Sequence, residues 1–225
     1  MATFQQRTID AFKTKLKGGG ARSNLFEVSF GAEAGGLPGT TATTTGATNS
    51  VFSQLGVTFD EGDLMLIKAA GMPASNITEI PVPFRGRTLK IAGDRTFDVW
   101  TITIINDTDF KWRSFFERWV NYIVKVSDGS GTINPSEYMA DMNVTQLSRG
   151  PGVAPNVANS SNIDVLRKYI VHGVFPTAVS QIDVSYNNEN EIEEFTVDLQ
   201  VQWWDALDST GATQLGTDPQ VLNPL

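Results

Sequence analysis

The chain has 225 residues, 40% of them hydrophobic, with thirteen Phe, five Trp and no Cys. That is enough apolar mass for one large core, and the missing thiols exclude disulfides, thiolate metal sites and Cys nucleophiles together. A formal net charge of −8 and a pI near 4.6 exclude charge-driven binding of nucleic acid phosphates by the protein as a whole. No stretch approaches the ~20 apolar residues of a membrane span, and Met1 to Lys17 lacks the apolar centre of a secretion signal. A soluble, unsecreted chain with no membrane anchor is expected.

Between Gln5 and Lys17, Ile9, Phe12 and Leu16 recur at spacings of three and four, while Arg7, Lys13, Lys15 and Lys17 fall elsewhere. This is the pattern of a short amphipathic helix. Gly18, Gly19 and Gly20 end it, and three glycines hold no fixed geometry alone, so residues 1–20 read as a flexible arm in preference to a frayed terminus. The basic balance of this arm on an acidic protein favours docking on an acidic neighbour. Phe26, Val28 and Phe30 alternate as a strand with one buried face. From Gly31 to Ser50 the chain is Gly, Thr and Ala, too poor in large apolar groups to bury itself. Hydrophobicity returns at Val51, Phe52, Leu55, Val57 and Phe59, and residues 31–63 are expected to be a loop or insertion rather than an extra hairpin.

Leu64 to Ala70 reads as a buried strand ended by Gly71-Met72-Pro73. Ile80-Pro81-Val82-Pro83 cannot be central in a sheet, because each Pro lacks the N–H a ladder needs, and is assigned to an edge or crossing segment. Thr88 to Ile91 and Phe97 to Ile105 read as two strands about a Gly93-Asp94 turn, the second β-branched on both faces and so covered on both. Asn106, Asp107, Thr108 and Asp109 offer side-chain caps for the next helix, placed at about 108–125. Its stripe is Trp112, Phe115, Phe116, Trp119, Val120 and Ile123, at i, i+3, i+4, i+7, i+8 and i+11. Each such side chain contributes about 1.5–3 kcal/mol gross when buried, which favours a core plug over an aromatic ligand site.

Ser127 to Tyr138 is a loop, Asp141 to Ser148 a weak strand, and Arg149 to Asn162 a Gly/Pro/Asn/Ser loop. Ile163 to Phe175 and Ile182 to Tyr186 are strand-like, and Asn187-Asn188-Glu189-Asn190 is turn chemistry. The last strand, Phe195 to Trp204, puts Phe195, Val197, Leu199, Val201 and Trp203 on one face and Thr196, Asp198, Gln200 and Gln202 on the other. Ala206 to Leu225 has no period and is read as an extended tail.

Several groups imitate chemistry. Val126 to Glu137 overlays a twelve-residue calcium loop with Asp128, Gly131 and Glu137 in register, but its first position is Val126 and Pro135 forbids the usual following helix. It is read as a helix exit. His172 is the sole histidine, which leaves no multi-His metal site, and it is read as structural. Asp94-Arg95 reads as a local or intersubunit ion pair, and Glu189, Glu191, Glu193 and Glu194 as a solvated face. There is no phosphate-cradling glycine loop. Hence no catalytic, cofactor or metal site is expected, and no enzyme activity. The sum is a mainly β, mostly antiparallel fold with one flanking amphipathic helix, long loops and flexible termini. The domain spans 21–205, between the arm at 1–20 and a tail at 206–225.

Separated segments resemble one family. Gly93-Asp94-Arg95-Thr96-Phe97-Asp98, Trp100, Thr101, Thr103 and Asn106-Asp107 are similar to the pattern of the tail tube proteins of contractile-tailed bacteriophages. Asn24-Leu25-Phe26-Glu27-Val28, Ile80-Pro81-Val82-Pro83-Phe84, Pro135-Ser136-Glu137-Tyr138, Gly173-Val174-Phe175-Pro176-Thr177 and Phe195 to Trp204 follow in the family's order, covering about two thirds of the chain. The Gly/Thr/Ala stretch and the C-terminal extension depart from it. The resemblance implies two packed antiparallel sheets, a β-sandwich or half-barrel, in a structural virion protein: six subunits closing inner sheets into a ring, and rings stacking into a hollow tube inside a contractile sheath. It implies as partners further copies of the chain, the tail sheath, baseplate, tail terminator and tape-measure proteins, and DNA passing through the lumen without specific binding. Assembly in the host bacterial cytoplasm is implied with them. Candidate lumen residues are Thr196, Asp198, Gln200 and Gln202; candidate inter-subunit or inter-ring residues are Arg7, Phe12, Leu16, Asp94 and Arg95. The alternatives are the tube of a non-phage contractile injection or secretion particle, and a carbohydrate- or protein-binding β-sandwich module.

Overall fold

The computed structural model describes residues 9–16, 19–30, 51, 55–57, 59, 61–150, 165–187 and 191–207. Arg7, the Gly/Thr/Ala stretch at 31–50, most of the loop to Asn162, Glu189 and the tail from 208 lie outside these residues. Among them, no helix is long and apolar enough to cross a membrane.

Alternating apolar residues build two antiparallel sheets on one hydrogen-bonded path. Its strands are β1 (Phe26–Phe30), β6 (Ala140–Leu147), β7 (Val165–Val179), β8 (Glu194–Gln200), β5 (Trp100–Ile105) and β2 (Ile67–Ala70), with β9 (Trp203–Leu207) also on β7. The long β7 divides the path. Its residues 168–172 pair with β9 beside β6, whereas Phe175 to Val179 pair with β8. Gly173 is the corner, at φ +62, with Gln202 Cγ only 2.6 Å from where a Cβ would stand. A side chain there would meet both a steric and a backbone penalty, so the strand bends where only Gly fits.

Ile102, Ile104, Val197 and Leu199 from one sheet and Val28, Met142, Val144 and Val171 from the other share a single core. The amphipathic helix α3 (Lys111–Ile123) completes it, burying Trp112, Phe115, Phe116 and Trp119. Phe59 stacks on Trp112 at 4.1 Å between centroids, and Val51 and Leu55 are buried, so the far end of the 31–63 insertion belongs to the core. The sequence stripe needs one correction: Ile123 is half-buried as a core neighbour, but Val120 is exposed, since it sits past the edge of the buried arc.

Other expectations change too. No side chain caps α3; Phe110 precedes it in the left-handed region at φ 52, and the Asp107 carboxylate accepts from Thr108 instead. Leu64 ends a short helix, α2 (Glu61–Leu64), and β2 starts only at Ile67. Gly93-Asp94 is not a turn. It lies inside β4 (Arg87–Phe97), which pairs with β3 (Ser75–Phe84) through an Arg85-Gly86 turn with both φ positive, the mirror-image geometry that suits a twisted hairpin. Gly93 sits where the register slips by one residue, and a Cβ there would stand only 2.9 Å from the Thr78 carbonyl oxygen. β5 is buried on one face only, with Thr101 exposed on the other. β6 is a buried inner strand rather than a weak one, holding Asn143, Thr145 and Gln146 out of solvent. Ile182 to Tyr186 is not a strand, while Ala206, taken for tail, is buried in β9. Two further helices are α1 (Ile9–Lys15) and α4 (Pro135–Tyr138).

Candidate assembly surfaces

Phe97 at the end of β4 packs against the core, but the projecting part of the β3–β4 hairpin lies outside it: every residue from Asn76 to Ala92 is exposed. Strand alternation sorts its side chains. Ile80 pairs with Ile91 and Val82 with Leu89, on the face that also carries Phe84, whereas Glu79, Pro81, Lys90 and Thr88 take the other. On the polar face Lys90 bridges Glu79 at 2.7 Å. Among the described residues no core element covers the apolar ladder: Phe84 is 66% and Leu89 61% exposed. Sequence reading missed it because the prolines drew attention to the backbone, although Ile80, Val82 and Phe84 already alternate.

Two tryptophans fasten the hairpin's root. Trp100 in β5 donates its indole N–H to the Gly71 carbonyl at 2.7 Å, and Trp204 in β9 donates to Ala74 at 3.2 Å. Each indole keeps an apolar body against the core while its N–H reaches the entering chain. Asn76 adds a side-chain hydrogen bond to Asp98 at the exit. Asp94 and Arg95 stand exposed on β4, and the Asp94 backbone carbonyl accepts from Thr78.

A second surface is the outward face of β8. Thr196 and Asp198 lie opposite Thr103 and Thr101 of β5, and Thr101 Oγ1 donates to the Asp198 carboxylate at 2.6 Å. Gln200 continues the row, and Thr177 donates to the Asp198 carbonyl. Gln202 lies past the strand end, packed on Gly173, so three of the four expected residues form one polar ladder and the fourth belongs to the corner. The break at Val201-Gln202 also shifts the phase, leaving Trp203 exposed where strict alternation buries it.

Trp203 stacks on His172, with ring centroids 3.9 Å apart. His172 Nδ1 meets the Asp141 carboxylate at 3.1 Å, and the other Asp141 oxygen accepts the Gly173 N–H. Asp205 lies 3.8 Å from Nε2. Burial pushes the Asp141 carboxyl up, but the hydrogen bonds from His172 and Gly173 and the His172 charge outweigh it and hold it below the usual range. The cluster clamps the β7 corner. Asp128, in the calcium-like loop, accepts from the Ser130 hydroxyl and N–H, and these bonds lower its pKa. Among the described residues no three carboxylate or imidazole groups gather to hold a metal ion.

The arm's helix α1 presents Ile9, Phe12 and Leu16 to solvent. Of the acidic run, Glu193 accepts from Asn106 and Glu194 from Lys68, while Glu191 is exposed.

The tail tube protein gp19 of Enterobacteria phage T4 is 30% identical over 138 residues, 61% of this chain and 78% of the phage protein. The tail tube protein of Serratia phage KSP90 is 27% identical over 135 residues, 60% of this chain and 70% of its own. Among solved structures, a chain of the anti-feeding prophage tube-terminating cap aligns with a TM-score of 0.48 at 14% identity, covering 84% of this chain and 91% of that one. The family model described as phage tail tube protein matches residues 21–206, from just before β1 into β9. The chain therefore belongs to the phage tail tube protein family.

Proposed function

We propose that this chain assembles as hexameric rings that stack into the hollow inner tube of a contractile tail, the conduit for genome delivery. The observation that carries this reading, beside family membership, is the uncovered apolar ladder Ile80, Val82, Leu89 and Ile91 on an outstretched hairpin. An exposed apolar face of this kind marks a surface that another chain covers, and further copies of the same chain are the cover always present during assembly. In this reading residues 1–20 are an arm, the β-domain runs on through β9 to Leu207, and Phe12, Leu16, Asp94 and Arg95 meet neighbouring subunits or rings. Thr196, Asp198, Gln200 and Gln202 are the lumen candidates, a polar and acidic wall along which phosphates slide without sticking. The sheath, tail terminator, baseplate and tape-measure proteins are the remaining partners, in a virion tail assembled in the host cytoplasm.

Negative-stain microscopy of the purified chain is the test. Stacked rings with a central channel are expected, and a monodisperse monomer at high concentration overturns the proposal. Within such tubes, a six-fold reconstruction that buries Thr196 and Asp198 in a dry interface removes them from the lumen.

A further inference from the structure

Helix α1 and a groove elsewhere on the chain are opposite in charge, and each leaves large apolar side chains exposed. The groove lies between the stretch from Gln181 to Ser185 and the stretch from Glu191 to Glu194. Asp183 and Glu191 are exposed along it, and so are two large apolar groups, Val184 at 80% and Ile192 at 71%. The groove's acidic edge is held in place, since Asn106 holds Glu193 and Lys68 holds Glu194. Helix α1 carries the complementary pattern. Ile9, Phe12 and Leu16 form an apolar stripe that its own chain leaves exposed, and the arm's charges are Arg7, Lys13, Lys15 and Lys17 against Asp10 alone. An amphipathic helix with one uncovered stripe is marginal in water until that stripe is buried. Asymmetry of charge within one chain also favours association of unlike patches, basic arm to acidic groove.

We infer that α1 of one copy seats in the groove between 181–185 and 191–194 of a second copy, with Phe12 against Val184 and Ile192 and Lys13 facing Asp183 and Glu191. This rests on the self-assembly proposed above. It makes the arm a strap between subunits, and it gives the acidic run a partner.

The chain has no cysteine, so introduced thiols report this contact without background. Phe12→Cys and Ile192→Cys are placed on separate chains of different tag length, mixed, assembled and oxidised. A covalent heterodimer is expected, lost when Lys13→Glu is added to the first chain and recovered when Glu191→Lys is added to the second. Leu16→Cys with Val184→Cys repeats the test at another pair. Rings or tubes that form without any heterodimer at either pair overturn the strap while leaving the tube reading intact. A fast-migrating intramolecular product from the doubly substituted chain at high dilution assigns the groove to the chain's own arm, which also overturns it. An unmodified chain that stays monomeric fails the tube reading itself, a separate outcome.

Discussion

His172 and Asp141 illustrate what single residues contribute. Asp141 closes the β7 corner twice, through His172 and through the Gly173 N–H, so its charged form is the one the fold holds. Its pKa is lowered in the folded chain, and a depressed carboxyl stabilises fully above its unfolded value, roughly pH 4, and ceases to do so as pH falls through the folded value. Asp141→Asn is therefore expected to unfold at lower temperature than the parent at neutral pH. The gap should narrow below about pH 4, where the parent carboxylate is neutralised too. Thermal melts of both chains across acid pH check this; a gap that widens on acidification counts against it. That His172 is structural was readable from its isolation in the sequence. Its partners were not, because Asp141, Trp203 and Asp205 come from strands joined only by tertiary pairing.

At the scale of elements, α3 was legible and the hairpin was not. Four aromatic residues at helical spacing leave no other arrangement that buries them, and Trp112, Phe115, Phe116 and Trp119 are all fully covered. Trp119 also donates to the Tyr138 carbonyl at 2.8 Å. Trp119→Ala is expected to cost about 3–5 kcal/mol, whereas Val120→Asp on the exposed flank should stay within about 0.5 kcal/mol, both read from urea unfolding of the unassembled chain. The β3–β4 turn escaped notice because Arg85-Gly86 is an uncommon way to make a mirror-image turn, while Gly93-Asp94 imitates a common one. What distinguishes the two is the register slip opposite Thr78, visible only once strands are paired. Since Leu89 stands 61% exposed on the hairpin, Leu89→Asp should leave the melting temperature of the unassembled chain nearly unchanged and abolish rings under the microscope. A variant that still forms tubes removes the ladder from the assembly surface.

For the whole molecule, alternation and composition were enough to foresee a mostly antiparallel β fold around one core, and the family resemblance added its division into two sheets. They were not enough to foresee that β7 serves both, because one glycine carries the whole change of direction. The same limit applied to β6, whose Asn143, Thr145 and Gln146 blur its pattern although its neighbours bury it on both faces. Net charge, by contrast, is a property of the whole chain and needs no topology. At −8 the protein should leave double-stranded DNA unretarded in gel shifts at physiological salt, and retardation there would speak against a non-adhesive lumen.

Pro81 and Pro83 bear on the life of the protein before assembly. Both sit in β3 two residues apart, so their missing N–H groups fall on the same outer edge of the hairpin, the one that β4 leaves open. An incoming strand finds no donors at these two positions, so strand addition is disfavoured along the β3 edge, whereas the outer edge of β4 carries no proline. Replacing both prolines by Val should turn a storable pool of subunits into one that slowly gains thioflavin fluorescence at high concentration. The hairpin is sticky on its face and blunted along its β3 edge, which favours ordered tube growth over amyloid as competing fates of one concentrated chain.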